Sequence, residues 1–400
     1  MARVCRTGGG STAYPELETV LGGKTMTTEP KVRYYLGANS PSGFYSLYDQ
    51  LLDPGEAEEL LILKGGAGCG KSTLMGQVAA QAEARGIPVE YIRCSGDPDS
   101  LDAIILPDRH AAIVDGTAPH IVEPRLPGAV ERYMNLGDCY DHEGLKKVRG
   151  ELEQAMKGYK GCYTRAYRCL RAAAEITADR TALIQTPELE EKIAKRAKGI
   201  LSRECRRGGE GEGKVRQRFL SAVTHQGFLV EFGTVERQCR RVYELVDTYG
   251  ISHLLLTHLL SGAVAAGWDV IACPSPMAPD RLEHLILPQL SLAFVTTGNG
   301  TAYPRHPYRR LRMDAMVDRE LLRRNKARLS FSRKVSAALV EEAVSSLAQA
   351  KAMHDDLERI YNPYVDFSRV RTTAEWAVRE LLGNEPEHPF GEVSTVDRQE

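Results

Sequence analysis

The hydrophobic pattern of the chain predicts short buried strands alternating with amphipathic helices. Short runs rich in apolar residues occupy 60–63, 89–94 and 111–115; the second contains Glu90 and Arg93, and the third ends in Asp115. Runs of this kind are typical of strands buried on both faces of a parallel sheet. Residues 142–204 and 334–382 instead space their apolar residues at helical intervals, which predicts long helices.

Two phrases recur in the second half of the chain at a nearly constant distance. "LDAIILP" at 101–107 resembles "LEHLILP" at 282–288, and "YLGANSPSGF" at 35–44 resembles "FLSAVTHQGF" at 219–228. The offsets are 181 and 184 positions. The alternative is that buried strands resemble each other by composition alone. The shared Gly-Phe pair and the Leu-acid-x-aliphatic-Pro pattern favour a tandem duplication.

A glycine-rich loop stands between a predicted strand and a predicted helix, in "ELLILKGGAGCGKSTLMGQ". Its spacing, G-x-x-x-x-G-K-S, is that of a phosphate-binding loop, or P-loop, in which glycines let backbone N–H groups converge on phosphate oxygens. The helix N-terminus adds its positive dipole. A glycine-rich turn without a ligand is the alternative, but it does not explain the strand, the helix and the full spacing together. The pattern predicts an ATP site formed by Gly65, Gly66, Ala67, Gly68, Cys69, Gly70, Lys71, Ser72 and Thr73.

Chemistry at this loop is assigned to a few side chains. We expect Lys71 to act catalytically by reaching the β- and γ-phosphates, and the Ser72 hydroxyl to ligate Mg²⁺. Asp115 ends a buried strand, where a carboxylate is the expected second partner of Mg²⁺, although an Asp-Gly turn is the alternative. Asp97 follows another strand and is a candidate general base, with an Asp-Pro turn as the alternative. His120 is a weaker candidate of the same kind, with a structural histidine as the alternative.

The residue after Asp115 limits which reactions we expect. It is Gly116, whereas motor-type ATPases place there a glutamate that polarises water. Slow hydrolysis, switching or phosphoryl transfer is therefore favoured over fast hydrolysis.

The second copy of the repeat has lost the charged residues of the first. When Gly70 is aligned with Gly250, Ile251 replaces the lysine and Leu245 replaces the first glycine, and Thr296 stands where the first copy has Asp115. A phosphate cradle needs small residues and a cation, and both are missing here. We therefore expect one nucleotide per chain, bound in the first half.

The fold class that these patterns predict is α/β. We expect a P-loop NTPase-type parallel sheet, duplicated in tandem as a pseudo-dimer, with an α-helical appendage on each unit. The predicted organisation is a disordered extension at 1–30, a nucleotide-binding core at 31–138, a helical region at 139–207, a Gly-rich linker at 208–216, a degenerate P-loop-like core at 217–312, a second helical region at 313–383 and a disordered tail at 384–400.

Composition adds little to this picture. The 400 residues carry a formal net charge of −1, so no global field attracts nucleic acid or a membrane surface. Nine cysteines lack zinc-site spacing, which favours reduced thiols and a cytoplasmic location. We expect no membrane partner. The basic segments 305–312 and 319–328 could bind nucleic acid, but a solvated basic surface is the favoured interpretation.

Several segments together resemble a known family. They are "ILKGGAGCGKSTLM", "CSGDPDSLDAIILP", "AAIVDGTAPHIVEPRLPGAVERYMNLGD" and "YYLGANSPSGFYSLYDQLL". They are similar to a poorly characterised family of bacterial tandem P-loop proteins, described as ATPases or nucleotide-kinase-like proteins. The resemblance covers most of 33–382 and implies a P-loop fold and ATP binding, without a substrate. Members often carry an intact loop in both halves, and this chain departs from that pattern in its second half.

The sequence thus predicts an ATP-binding, Mg²⁺-dependent protein that hydrolyses ATP slowly or transfers phosphoryl to an unknown acceptor. One alternative is a non-catalytic nucleotide sensor or scaffold whose helical regions meet a protein partner. A nucleic-acid-associated ATPase is a further alternative, suggested only by the basic segments.

Overall fold

The computed structural model describes residues 30–206, 208–209, 211–298 and 300–383. The extension and the tail predicted to be disordered lie outside these residues, apart from residue 30. The described chain is α/β, with two six-stranded sheets, two small hairpins and helices around them.

The first unit places its glycine-rich loop between a buried central strand and a 14-residue helix. Its strands are β1 (Val32–Tyr34), β2 (Gly37–Ser40), β3 (Gly43–Ser46), β4 (Glu59–Lys64), β5 (Glu90–Arg93), β6 (Leu101–Leu106), β7 (Ala111–Asp115) and β8 (Glu131–Asn135), and its core helix is α1 (Lys71–Ala84). β2 and β3 form a hairpin, and the other six strands form a sheet in the order β1-β5-β6-β7-β4-β8.

The expectation of a parallel sheet is wrong for one strand of each unit. β6 runs antiparallel to both of its neighbours, β5 and β7, whereas the remaining pairs are parallel. The reason lies in the connections, because only residues 107–110 join β6 to β7. A parallel pair needs a crossover of about a dozen or more residues, so this short connection permits only a reversal.

The second unit repeats this sheet strand for strand. Its sheet has the order β9-β13-β14-β15-β12-β16, and β14 again runs antiparallel to its neighbours. The elements are β9 (Val215–Gln217), β10 (Ser221–Thr224), β11 (Gly227–Val230), α5 (Phe232–Gln238), β12 (Arg241–Val246), α6 (Ser252–Ala265), β13 (Val270–Ser275), β14 (Ala278–Leu287), β15 (Leu292–Thr297) and β16 (Arg309–Arg312). The recurring phrases noted in the sequence are therefore equivalent strands and hairpins.

The two sheets share one apolar core. Ile62 and Ile105 of the first sheet belong to the same buried cluster as Val242 and Ile286 of the second. Alternate residues of each strand point the other way, toward α1 in the first unit and α6 in the second. Tyr35 and its equivalent Phe219 exchange two backbone hydrogen bonds of 2.9 Å, the reciprocal pairing that a two-fold relation produces.

The helical appendages cross over between the units. They comprise α2 (His142–Lys147), α3 (Arg149–Ala182), α4 (Pro187–Glu204), α7 (Arg319–Arg324), α8 (Lys326–Tyr361) and α9 (Phe367–Leu382). The long helices α3 and α8 pack along each other. Beyond them, α4 packs on α6 of the second unit and α9 packs on α1 of the first. Each appendage thus covers the core of the other unit.

The boundaries of α4 follow from its sequence. Thr186 accepts a hydrogen bond from the Leu189 backbone N–H at 3.3 Å, and Pro187 occupies the first helical position. Both features stabilise a helix start. Among the described helices, including the long α3 and α8, none combines the length and the apolar character that crossing a bilayer requires.

Candidate functional site

The glycine-rich loop forms a tight turn from the end of β4 into the start of α1. Gly68 and Gly70 have φ angles of 69° and 85°, a left-handed region that strongly favours glycine. The Lys71 ammonium folds back over the loop and donates to the carbonyl oxygens of Gly65 at 2.9 Å and Gly66 at 2.7 Å. The loop thus holds its cation beside the N-terminus of α1.

Asp115 lies next to this lysine because β4 and β7 pair in parallel. The register sets Leu63 opposite Asp115, so the carboxylate comes out beside the first residues of the loop. Lys71 Nζ is 3.6 Å from Asp115 Oδ2, and both side chains are largely buried, at 13% and 14% exposure. Thr117 donates to Asp115 Oδ1 through its backbone N–H at 2.8 Å and through its hydroxyl at 2.5 Å.

Ser72 connects the loop to the antiparallel strand. Its hydroxyl oxygen accepts a hydrogen bond of 2.9 Å from the backbone N–H of Leu101, the first residue of β6. A hydroxyl and a carboxylate are oxygen donors that Mg²⁺ prefers, and Ser72 follows Lys71 in the chain while Asp115 pairs with it. The chemistry of these two donors fits a magnesium ion.

Asp97 makes its contacts away from the loop. Its carboxylate accepts from the Ser100 hydroxyl at 2.8 Å, which closes a turn after β5, and it forms an ion pair of 3.5 Å with Lys351 of α8. The alternative interpretation, a turn residue, accounts for these contacts. The predicted role of Asp97 as a general base stays a prediction.

A polar cluster, of which the sequence singled out only His120, lies inside the first unit. Asp102 of β6 accepts from the Tyr48 hydroxyl at 2.8 Å and lies 3.4 Å from His120 Nε2. Cys94 joins them, and one donor atom from each of Cys94, Asp102 and His120 lies within 4.8 Å of the others. Thiolate, imidazole and carboxylate together would suit Zn²⁺ better than Mg²⁺.

Burial governs the protonation of this cluster. Burial raises the pKa of Asp102 above its ordinary value, the charge of His120 opposes that rise, and the charge of Asp115 adds to it. Burial also raises the pKa of the Cys94 thiol well above its usual range. The rise in the pKa of Asp102 is therefore due in part to Asp115, the residue that pairs with Lys71.

One signal in the sequence could have identified Asp102. It is the acidic residue inside "LDAIILP", and Glu283 holds the same place in "LEHLILP". A carboxylate within an otherwise apolar strand is costly unless it has partners, so an acid in both copies indicates a buried polar site. Glu283 has such a hydrogen-bond partner, since the Ser221 hydroxyl donates to its carboxylate.

Helices of the second half cover the glycine-rich loop. A Cβ placed on Gly68 would lie 2.6 Å from Asn362 Oδ1 and 3.3 Å from the Glu358 backbone, and one placed on Gly66 would lie 3.8 Å from the Tyr361 ring. These residues belong to the end of α8 and the turn that follows it. The outer face of the loop is thus in direct contact with the crossed-over appendage.

The equivalent loop of the second unit is occupied by its own side chain. Asp247 is 4% exposed, and its Oδ1 accepts from the backbone N–H groups of Tyr249 at 3.0 Å and Gly250 at 2.9 Å. Its Oδ2 accepts from the Ser252 N–H at 2.6 Å, at the start of α6. The carboxylate therefore takes the hydrogen bonds that a phosphate would need.

The structure also corrects the alignment of this second loop. Leu245 and Val246 are not loop residues, because they pair with Thr296 and Thr297 inside the sheet. The loop consists of residues 247–251, one residue fewer than the 65–70 loop of the first unit. The Asp247 carboxylate fills this turn. Ile251 is buried and supplies no cation.

The basic segments are largely paired with acids. Arg310 forms an ion pair with Glu244, and Arg328 forms a bidentate pair with Asp179 at 2.9 Å. Arg323 and Arg324 both pair with Glu320. These contacts agree with the interpretation of a solvated basic surface.

No protein-family model, curated protein or solved structure matches this chain.

Proposed function

We propose that the chain has a P-loop NTPase-type fold and binds one ATP, with Mg²⁺, on residues 65–73 of its first unit. The proposed reaction is slow ATP hydrolysis or phosphoryl transfer to an unidentified acceptor. The observation that carries the proposal is the position of Lys71. Its ammonium bridges the loop carbonyls of Gly65 and Gly66 and the carboxylate of Asp115, at the N-terminus of α1.

In both reactions an oxygen nucleophile bonds to the γ-phosphorus as the bond to the β–γ bridging oxygen breaks. Water gives ADP, inorganic phosphate and a proton, and an acceptor hydroxyl gives ADP, the phosphorylated acceptor and a proton. Lys71 and the loop N–H groups would bind the oxygens on which negative charge accumulates. Ser72 and Asp115 would hold Mg²⁺, which supplies further charge neutralisation when it is bound.

The proton released by the nucleophile needs a base. Asp97 and Asp102 are the two candidates. Asp102 lies beside Tyr48 and His120, and burial raises its pKa above the ordinary value.

A nucleotide sensor is the second candidate. It is favoured by the contacts of Glu358 and Asn362 with Gly68, since phosphates entering the loop would act directly on the end of α8. Phosphate release measured for wild type and for Lys71→Ala separates the two functions. Release that depends on Lys71 supports an enzyme, and equal release from both proteins leaves the sensor.

Binding itself is tested by thermal or chemical unfolding with ATP and Mg²⁺. At about 100 times its Kd, ATP stabilises a protein by about 2.7 kcal/mol. We expect that gain for wild type and for Lys146→Ala, whose side chain is exposed and pairs only with nearby Glu143. Lys71→Ala should lose most of it at the same ATP concentration. An equal gain in all three proteins would show that ATP binds elsewhere.

A further inference from the structure

A cavity adjoins the phosphate loop on the side of α9. It has a volume of about 350 Å³, within the range of small-molecule sites. One wall continues directly from the loop into the exposed edge of α1, and the other wall is the first two turns of α9. The residues that matter here are Gly70, Thr73 and Gln77 on the first wall, and Phe367, Val370 and Arg371 on the second.

Phe367 is unusual for its exposure. It is the first residue of α9 and 43% of its surface is accessible, although it is a large apolar side chain. Its ring nevertheless lies close to the loop, since a Cβ on Gly70 would be 3.9 Å from Phe367 Cε1 and 3.4 Å from Val370 Cγ1. An exposed aromatic ring at the edge of a cavity is suited to stacking on a planar ligand.

The position of the cavity relative to the loop indicates which part of a nucleotide it would bind. Phosphates held by the loop lie over residues 65–72, so a nucleoside attached to them must extend past the last loop residues. The cavity begins at those residues, at Gly70 and Thr73. Arg371 lines the cavity, where its guanidinium would suit an anionic or aromatic ligand.

We propose that α9, which belongs to the second half of the chain, forms the nucleoside subsite of the first half, with Phe367 stacking on the base. This inference rests on the proposed binding of a nucleoside triphosphate at the loop. Val370 supplies the apolar floor of the subsite. The bound nucleotide therefore contacts both halves of the molecule.

The second unit lacks the same feature. There α4 packs on α6 as α9 packs on α1, but the first turn of α4 reads Pro187, Glu188, Leu189 and Glu190. No aromatic residue stands in that turn, and the adjoining loop is filled by Asp247. Of the two equivalent helix pairs in the described residues, α9 on α1 has an aromatic residue in its first turn, beside the glycine-rich loop, and α4 on α6 has none.

The test compares a ligand that has a base with one that has none. Titration calorimetry measures Mg²⁺–ATP and Mg²⁺–tripolyphosphate binding to wild type, Phe367→Ala, Phe367→Tyr and Phe331→Ala. Phe331 is the matched control, an exposed phenylalanine on α8 at 66%. Base–aromatic stacking is worth enough that Phe367→Ala should weaken ATP binding about 5- to 100-fold. Tripolyphosphate affinity should stay within about twofold, and Phe367→Tyr and Phe331→Ala should bind both ligands like wild type.

The possible failures are distinguishable. If Phe367→Ala binds ATP as tightly as wild type, or loses ATP and tripolyphosphate equally, the ring does not hold the base and the inference is overturned. If wild type binds neither ligand, the proposed function itself is wrong. Circular dichroism melting of each variant establishes that an affinity change does not come from unfolding.

Discussion

Two aspartates at different fold positions have opposite relations to the loops of the two halves. Asp115 ends β7 and stands outside the first loop, where it pairs with Lys71. Asp247 stands inside its own loop and accepts hydrogen bonds from three backbone N–H groups. A carboxylate resembles a phosphate in charge and in acceptor oxygens, so the same backbone turn satisfies it.

The Asp115 position leads to a prediction about metal dependence. Asp115→Asn removes the negative charge but keeps an oxygen that can accept from Thr117, so the loop should remain folded. We expect Mg²⁺ to tighten ATP binding less in the variant than in wild type, while ATP with EDTA binds both proteins similarly. Titrations of ATP in the presence of Mg²⁺ and in the presence of EDTA measure these two affinities. An unchanged Mg²⁺ effect would make Asp115 a turn residue only.

Asp247 leads to a prediction about stability. Asp247→Ala leaves three N–H groups without their acceptor, and that of Ser252 is buried whereas those of Tyr249 and Gly250 are only partly buried. Losing the acceptor of a buried N–H costs about 1–3 kcal/mol. We therefore expect a loss of about 1–3 kcal/mol in free energy of unfolding, measured in urea, and a smaller loss for Asp247→Asn. The control is Asp280→Ala, with a side chain that is 81% exposed, which should change stability by less than about 0.5 kcal/mol. Equal stabilities for Asp247→Ala and Asp280→Ala would contradict this account.

At the scale of elements, the crossing of the appendages rests on close helix contacts. A Cβ on Gly262 of α6 would lie 2.2 Å from Leu201 Cδ1 of α4, so this glycine lets the two helices approach. Gly76 of α1 is also inside a helix, but a Cβ there would meet nothing within 4 Å. Substituting each of these two glycines therefore distinguishes the effect of helix propensity on stability from the effect of packing.

We therefore predict opposite effects of the same substitution. Gly76→Ala should stabilise the protein by about 0.5–1 kcal/mol through helix propensity. Gly262→Ala should destabilise it by about 1–2 kcal/mol, because overpacking against Leu201 outweighs that gain. In Leu201→Ala the Gly262→Ala change should become favourable. Additive effects of Gly262→Ala and Leu201→Ala in urea unfolding would show that α4 does not pack on α6.

The same elements show what the sequence could predict. The strands, the hairpins and the loop between β4 and α1 follow from local patterns, and pairing of β4 with β7 then brings Asp115 to Lys71. The direction of β6 was missed, because an apolar run looks the same in parallel and antiparallel buried strands. Helical periodicity of α9 shows an apolar face but not its partner. Asp102 was missed as a candidate site residue because its role depends on its tertiary neighbours, Cys94 and His120.

At the scale of the molecule, the two halves are interlocked. They share the core between the sheets, and each contributes a terminal helix to the other. A ligand bound at the first loop would lie against α1 of the first half and α8 and α9 of the second. Binding there would therefore be linked to the relative position of the halves, which is what either a switch or a closing enzyme requires.

The duplicated fold nevertheless leads us to predict a single nucleotide per chain. The first loop holds Lys71 beside its carbonyl oxygens, whereas the second loop has N–H groups bonded to Asp247 and has buried Ile251 at the lysine position. A phosphate entering the second loop would have to displace a buried carboxylate without gaining a cation, so its binding is strongly disfavoured. Mass spectrometry of the intact complex should count one ATP in wild type and none in Lys71→Ala at ATP concentrations near the wild-type Kd. Asp247→Ala should still bind only one, because the cation is missing even when the carboxylate is removed. Two equivalent ATP molecules in the wild-type chain would show that the second loop binds phosphate despite Asp247.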